Sequence, residues 1–363
     1  MKWEKYRGRD VIPMWVADMD FAAAPCIVQE LQRRTAHGVF GYTQTPDELP
    51  EVIVSALRAE HRWRIEPGWL VFLPSLVVGL NAVCRAFAAE RESILTAVPI
   101  YPPFLSAPEY AGRKCIRVPL AESDGLWVWD MEALEHALTP DSRMLLLCNP
   151  HNPTGRVWSR VELEALGEFC LRHDLVLVSD EIHCGLVLDS DKEHLPAASL
   201  DPAIAARTVT LMSASKTFNL PALGCAFAVV SNPELRARLK RTMAGIVHHV
   251  GAMGLFATLA AYRDGRDWRL ALVEYLRGNR ALVEDSIPRL PGLKVFHPQA
   301  TYLAWLDARE LPGGDALGRF EEAGVGLYDG ASFGAPGFLR LNFACPRALL
   351  KEALARMRRA VRT

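Results

Sequence analysis

Three polar residues, Asn152, Asp180 and Lys216, each follow a short apolar run and could act together on one ligand. A lysine amine that is partly neutral can form a Schiff base with an aldehyde. A carboxylate can pair with a protonated ring nitrogen, and a side-chain amide can hold a ring oxygen. Each residue alone has a simpler interpretation, namely a surface loop for the lysine, a cap or strand-end turn for the aspartate and an Asn-Pro turn for the asparagine. All three in this order are much more specific than any one of them.

The elements that must position these residues are short apolar runs that alternate with longer amphipathic stretches. We predict strands at 70–73, 93–98, 114–118, 143–148, 175–179, 208–212 and 225–230. Helices are predicted between them at 76–89, 103–111, 131–138 and 161–173, the last with a capping box made by Ser159 and Glu162. This alternation predicts an α/β fold with a mainly parallel sheet. Ligands of such sheets bind at the carboxyl ends of the strands, which is where the three polar residues fall.

This sheet edge offers the three contacts that a pyridoxal 5'-phosphate (PLP) ring needs: a Schiff-base lysine, an acid at the pyridinium nitrogen and a partner for the phenolic oxygen. The PLP phosphate also needs a binding site, here called the cradle. Helix N-termini bind phosphate through free amides and the helix dipole. We predict that cradle from the backbone of Ser75, Leu76 and Val77, although Ser75 could simply cap the helix that follows it. Hydroxyl groups of Ser213 and Ser215 would complete it.

Two further residues could bind the ring face and a substrate. Tyr101 is the candidate to stack on the ring, although a lone tyrosine is more often a core residue. Arg340 stands between apolar neighbours in an alternating strand, and a buried arginine needs an anionic partner. A substrate α-carboxylate gripped by two parallel hydrogen bonds would be that partner, and a structural salt bridge is the alternative.

Composition argues against several other classes of function. The 363 residues carry 41 Lys and Arg against 42 Asp and Glu, so the net charge is −1. We therefore expect neither nucleic acid nor a membrane surface as a partner. No run reaches the roughly 18–20 apolar residues of a membrane span, and the first residues have no signal-peptide core. The eight cysteines are scattered without a Cys-x-x-Cys pair, so we expect reduced thiols, no metal site and a cytoplasmic location.

From about residue 233 the pattern changes to long helical stretches followed by short strands. We predict helices at 234–244, 250–262, 266–286 and 347–361, and strands at 293–296, 302–306 and 338–343. This pattern indicates a second, smaller α+β domain. We place a large PLP-binding domain at 30–268, and the small domain at 1–29 plus 269–363.

Longer motifs resemble those of one enzyme family. They are 13–21 (PMWVADMDF), 37–42 (HGVFGY), 148–158 (CNPHNPTGRVW), 179–183 (SDEIH), 213–219 (SASKTFN), 301–307 (TYLAWLD) and 338–347 (FLRLNFACPR). Together they resemble the fold-type I PLP enzymes of the class I/II aminotransferase superfamily. Within it, the match is to the MalY/PatB-like C–S lyases of the cystathionine β-lyase type. The resemblance covers nearly the whole chain, and it implies PLP as the cofactor.

The resemblance implies a role for each matched residue. Lys216 is implied as the Schiff-base lysine and proton shuttle, Asp180 as the pyridinium partner and Asn152 as the phenolic-oxygen partner. Tyr101 is implied as the stacking ring, and Arg340 as the clamp on the substrate α-carboxylate. All five would therefore surround one cofactor and its substrate.

Further residues follow from the same resemblance. Tyr42 resembles the tyrosine that reaches the phosphate of the neighbouring subunit, which implies a homodimer with each site built from both chains. His183 stands in the cofactor site where ordinary aminotransferases usually have a tyrosine, which favours the lyase-like branch. Ala17 is expected on the substrate side. Gly224 stands where many aminotransferases have a phosphate-binding arginine, so the phosphate must rely on helix amides and hydroxyls. Pro221 also departs from the usual pattern.

The activity implied is a C–S β-lyase that cleaves cystathionine or another S-substituted cysteine by α,β-elimination to pyruvate, ammonia and a thiol. An aminotransferase remains an alternative, because both reactions begin with the same proton removal. A pathway-specific lyase acting on a cysteine conjugate and a PLP-binding regulatory protein are two more.

Overall fold

The computed structural model describes residues 1–361. In chain order the strands are β1 (Ile12–Pro13), β2 (Leu70–Leu73), β3 (Ser93–Val98), β4 (Lys114–Ser123), β5 (Leu126–Trp129), β6 (Ser142–Cys148), β7 (Val176–Asp180), β8 (Thr208–Met212), β9 (Ala226–Val229), β10 (Lys294–Val295), β11 (Leu303–Asp307), β12 (Val325–Gly326), β13 (Tyr328–Asp329) and β14 (Phe338–Asn342). The α-helices are α1 (Pro25–His37), α2 (Glu48–His61), α3 (Leu76–Phe87), α4 (Pro103–Tyr110), α5 (Met131–Ala137), α6 (Arg160–Arg172), α7 (Pro202–Ala205), α8 (Pro233–Met243), α9 (Ala252–Asp264), α10 (Arg266–Ser286), α11 (Ala316–Glu322) and α12 (Arg347–Ala360).

The large sheet has the strand order β2-β9-β8-β7-β6-β3-β4-β5. Its central strands β8, β7, β6, β3 and β4 run parallel, and β9 and β5 run antiparallel to them on either side. The edge strand β2 pairs antiparallel with β9, so it runs in the same direction as the central strands. Successive residues face opposite sides of the sheet, so Leu146 and Val178 join one apolar layer, and Leu145 and Leu177 join the other. Both faces are covered, which explains why these strands are continuous apolar runs. The predicted α/β class with a mainly parallel sheet is confirmed.

Most predicted elements lie within a few residues of the observed ones. The capping box of α6 is present, because Ser159 Oγ accepts from Glu162 N and the Glu162 carboxylate accepts from Ser159 N at 2.8 Å. No element is predicted from the sequence at α1, α2 or β5, nor at β1, α7, α11, β12 or β13. Of these, α1 is rich in polar residues and buries only Ile27 of its own side chains. Its apolar signal is therefore weak, although it packs closely against α9.

The smaller part of the fold is α+β, as predicted, and it includes the start of the chain. Strands β10, β11, β14 and β13 form an antiparallel sheet, and β1 pairs in parallel with β12. Ile12 and Met14 share a core with Leu303, Phe343 and Leu350. The predicted domain boundaries at residues 30 and 268 fall inside α1 and α10, and they stay a prediction. No helix in the described part of the chain is long and apolar enough to cross a bilayer.

Candidate active site

A cavity of about 180 Å³ opens at the carboxyl ends of β6, β7 and β8, beside the first turn of α3. The strand ends are level there, because Cys148 pairs with Asp180 and Asp180 pairs with Leu211 across the parallel ladder. Most of the predicted site residues line this one cavity, namely Ala17, Ser75, Leu76, Val77, Tyr101, Asn152, Asp180, His183, Ser213, Ser215 and Lys216.

Lys216 lies in the turn that follows β8, and its amine is buried in the cavity wall. Its Nζ donates to the backbone oxygen of Ala17 at 2.5 Å. Burial lowers the pKa of Lys216 from its ordinary value to about 8, and the nearby Arg340 guanidinium contributes to the same shift. A sizeable fraction of this amine is therefore neutral near physiological pH, as a nucleophile or a base requires.

Asp180 is the last residue of β7 and is almost fully buried. Ile182 N donates to its Oδ1 at 3.1 Å, and no other hydrogen bond within residues 1–361 reaches the carboxyl group. Burial raises the pKa of Asp180 to about 7, because the charged form is poorly solvated there. One oxygen of this carboxyl is free for a cationic donor, and such a donor would favour the ionised form.

A hydrogen bond joins Asn152, which follows β6 of the large sheet, to Arg340, which lies in β14 of the small antiparallel sheet. Arg340 Nη1 donates to Asn152 Oδ1 at 2.9 Å, and Nη2 donates to the backbone oxygen of Trp15 at 2.8 Å. The guanidinium lies 5.0 Å and 4.9 Å from the ring centres of Tyr328 and Phe333. It is 1% exposed and forms no ion pair with any side chain that the structure describes. A buried cation without an anionic partner is unfavourable, so we expect Arg340 to bind an anionic ligand.

The first turn of α3 supplies free amides at the cavity. Ser75 Oγ accepts from Val78 N at 3.2 Å, so Ser75 is the N-cap. The amides of Leu76 and Val77 have no hydrogen-bond partner in the described part of the chain. Lys216 is the one cationic side chain among the described residues that line the cavity, and Gly224 lies on its wall. An anionic group bound at α3 would therefore depend on backbone amides and hydroxyls.

The two serines beside Lys216 differ in their freedom to bind a ligand. Ser213 Oγ donates to the backbone oxygen of Cys225 at 2.7 Å and accepts from Ser215 N at 3.0 Å. The proton of Ser213 is thus used within the protein. The Ser215 hydroxyl forms no hydrogen bond to residues 1–361 and is the better candidate for a phosphate donor.

Tyr101 and His183 are both neutral groups in the cavity. Burial raises the pKa of the Tyr101 hydroxyl. Burial also lowers the pKa of His183 to about 3, and the positive charges of Lys216 and Arg340 act in the same direction. The Nδ1 atom of His183 is buried and has no partner in the structure as described. A neutral imidazole in this position can donate to or accept from a ligand.

Two predicted site residues, Tyr42 and Arg340, do not line the cavity. Tyr42 is fully exposed and lies on a surface depression that Lys240 and His248 also line. The hydrogen bond of Arg340 to Asn152 places the arginine at the border of the cavity.

Sequence reasoning missed the residues that hold the segment 15–21 against the site. Asn219 and Asn342 both donate to backbone oxygens of that segment. Each lies inside a quoted motif, three residues after Lys216 and two after Arg340. Their proximity to the catalytic candidates was the only available signal, because an asparagine alone does not indicate which backbone it contacts.

The free groups fit PLP. Asp180 offers a carboxylate oxygen, the Asn152 side-chain nitrogen has no partner among the described residues, and the amides at α3 have none. Lys216 offers an amine beside them. These are the donors and acceptors that a pyridinium nitrogen, a phenolic oxygen, a phosphate and an aldehyde require.

The chain belongs to the class I and II aminotransferase family, whose model matches residues 9–357. It is 36% identical to the cystathionine β-lyase PatB of Bacillus subtilis, over 99% of this chain and 96% of that protein. The crystal structure of OvoB superposes with a TM-score of 0.98 at 47% identity, over 99% of this chain and 95% of that one. Cystalysin from Treponema denticola, whose structure contains PLP, has a TM-score of 0.95 at 30% identity, over 100% of this chain and 95% of that one. The family predicted from the motifs is confirmed.

Proposed function

We propose that this protein is a PLP-dependent C–S β-lyase acting on cystathionine or another S-substituted cysteine. The net reaction is R–S–CH2–CH(NH3+)–COO− + H2O → R–SH + CH3–CO–COO− + NH4+. The observation that carries the proposal is the meeting of Lys216, Asp180 and Asn152 around one cavity, with the unpaired Arg340 at its border. The likeness to the cystathionine β-lyase PatB supports the lyase over the aminotransferase.

The chain's own residues divide the work of the reaction. PLP, when bound, supplies an electron sink for the bond broken at the substrate α-carbon. Lys216 Nζ removes the α-proton as a general base and is placed to return a proton to the leaving sulfur. When PLP is bound, Asp180 would pair its carboxylate with the ring nitrogen. Asn152 would hold the ring through its side-chain nitrogen, because its side-chain oxygen already accepts from Arg340.

Arg340 binds the substrate α-carboxylate. Its guanidinium is rigidly placed by Asn152, Trp15 and two aromatic rings, so it can present two parallel donors without rearranging. A fixed carboxylate orients the α-proton toward Lys216, and such orientation lowers the barrier of the proton transfer.

Replacing Arg340 with lysine should raise KM for cystathionine and lower kcat/KM by about 30- to 100-fold. A lysine keeps the charge but loses the bidentate geometry, and a charged hydrogen bond contributes about 1.5–3 kcal/mol. Steady-state pyruvate release at several substrate concentrations measures the effect, and PLP absorbance should be unchanged. A KM equal to that of the wild-type protein would remove Arg340 from substrate binding.

We also propose that two copies of the chain form a homodimer in which Tyr42 reaches the phosphate site of the other copy. Tyr42 is fully exposed, and Val39 and Phe40, which precede it closely in the chain, expose 62% and 64% of their surfaces. Exposed aromatic and aliphatic side chains close together are typical of a surface that another chain covers. The dimer would lie in the cytoplasm, which is supported by eight cysteines that are all free.

Mixing two impaired variants tests the shared site. In a heterodimer of Tyr42→Ala and Lys216→Ala, one of the two sites combines the intact lysine with the intact tyrosine. Random exchange of subunits should therefore restore about a quarter of the wild-type activity at a PLP concentration that leaves Tyr42→Ala poorly loaded. If the mixture never exceeds the sum of its components, each site belongs to one chain.

A panel of cysteine conjugates tests the reaction itself. The purified protein, loaded with PLP and given no keto acid, should release pyruvate and thiol in equal amounts. An aminotransferase would convert the bound cofactor to its pyridoxamine form and stop until a keto acid was added. A regulatory protein would bind PLP and give neither result.

A further inference from the structure

The segment 15–21, here called the strap, reaches the cavity at Ala17 and is held through its backbone. Arg340 donates to the oxygen of Trp15, and Asn342 donates to the oxygens of Val16 and Asp18. Both residues belong to β14 of the small antiparallel sheet. Lys216 Nζ and the Tyr302 hydroxyl both donate to the oxygen of Ala17.

Asn219, in the turn that follows β8 of the large sheet, holds the strap through both the nitrogen and the oxygen of its side-chain amide. This set of hydrogen bonds is here called the clamp. Its Nδ2 donates to the backbone oxygens of Met19 at 3.0 Å and Phe21 at 2.8 Å, and its Oδ1 accepts from Met19 N at 3.0 Å. Asn219 follows Lys216 by three residues in the same turn. Its φ of 57° lies in the left-handed region, which asparagine adopts more readily than most residues. The turn that carries the lysine therefore also carries the clamp on the strap.

We infer that Asn219 is a positioning residue that fixes the Ala17 carbonyl over Lys216 and so orients the lysine amine for proton transfer. The inference rests on the lyase function proposed above. The amine of Lys216 has its short bond to this carbonyl, and Ala17 lies two residues from the clamped Met19. Loss of the clamp would let the carbonyl move relative to the amine.

Two replacements of Asn219 distinguish the effect of its side-chain hydrogen bonds from the effect of its left-handed backbone conformation. Asn219→Asp keeps the size and can still accept from Met19 N, but it loses both donations and sets carboxylate oxygens against carbonyl oxygens. Asn219→Gly removes the clamp and retains the left-handed conformation without strain. The matched control is Asn279→Asp, because the side-chain nitrogen of Asn279 likewise donates to two backbone oxygens, those of Phe343 and Cys345, away from the cavity.

Activity tests the effect on the lysine. With cystathionine and the PLP-loaded protein, both Asn219 variants should lower kcat/KM by about 10- to 100-fold, because small misplacements of reacting groups have effects of this size. The primary isotope effect with α-deuterated substrate should increase, since proton removal becomes slower. A purely structural role would lower thermal stability but leave this isotope effect unchanged, and Asn279→Asp should behave in that way.

Hydrogen–deuterium exchange tests the clamp without turnover. The amides of residues 15–21 should exchange faster in both Asn219 variants, with and without PLP, and at the wild-type rate in Asn279→Asp. An unchanged exchange rate, or wild-type kinetics in an active protein, would overturn the inference. An inactive wild-type protein whose Asn219 variants still exchange faster would overturn the proposed function and support the clamp.

Discussion

Lys216→Ala is expected to abolish pyruvate release, with a fall in kcat of at least about 10²–10⁴-fold, the range that a positioned general base contributes. The buried amine is the one cationic group on the described cavity wall, and no other described side chain there could replace it as both carbonyl nucleophile and base. The absorbance of the lysine-bound cofactor should disappear from the spectrum as well. Steady-state assays and an absorbance scan of the PLP-reconstituted variant measure both losses.

The control for this loss is Lys351→Ala on α12, where the lysine is exposed and does not line the cavity. It should keep the spectrum and the activity of the wild-type protein. Retention of both properties by Lys216→Ala would defeat the assignment, because neither the covalent bond nor the proton transfer would then need this residue.

Asp180→Asn is expected to lower kcat by about 10²–10⁴-fold, an effect comparable with that of other single electrostatic groups in active sites. The amide keeps the shape of the side chain but cannot stabilise a protonated ring nitrogen. Lys216 remains, so the variant should still bind PLP covalently. Pyruvate assays and the absorbance spectrum together distinguish this result from a loss of cofactor.

The same variant should be more stable than the wild-type protein when PLP is absent. The ordinary pKa of an aspartate is 3.8, and burial raises that of folded Asp180 to about 7. Between these values the folded state holds the extra proton, so the stability of the cofactor-free wild-type protein falls as pH rises from about 4 to about 7. Asp180→Asn lacks this titration. Its advantage in thermal unfolding should therefore be present above pH 7 and absent below about pH 4.

Urea unfolding of both cofactor-free proteins across this pH range provides a second measurement. A difference in the free energy of unfolding that does not change with pH would mean that Asp180 is not held in the poorly solvated environment described here. Full activity of Asp180→Asn would separately remove the carboxylate from the electronic role.

The meeting of Asn152, Asp180 and Lys216 could be predicted because each follows its own strand of a parallel sheet. Parallel strands end at one edge, so adjacent strand ends bring distant residues together without knowledge of loop structure. The N-cap at Ser75 and the unpaired amides that follow it could be predicted as well, because a serine before an apolar helical stretch predicts a cap with free amides beyond it.

Other parts of the site depend on contacts between distant segments that residue types do not encode. The hydrogen bond from Arg340 to Asn152 joins residues 188 positions apart, and through it the arginine, an expected substrate clamp, also fixes the side-chain amide of Asn152. Asn219 and Asn342 lie in recognised motifs, yet their partners are backbone atoms of a segment near residue 19. At Ser213 the fold removes a predicted ligand contact. The sequence predicts that its hydroxyl donates to a phosphate, but in the fold it donates to the backbone oxygen of Cys225.

Trapping of the cofactor tests the central claim most directly. Borohydride reduction of the PLP-loaded protein fixes the cofactor on the amine to which it is bonded, and peptide mass spectrometry then locates the label. We predict one label per chain, on Lys216, with its formation weakened in the Asn152→Ala protein. A label on another lysine, or one spread over several, would contradict the site described here.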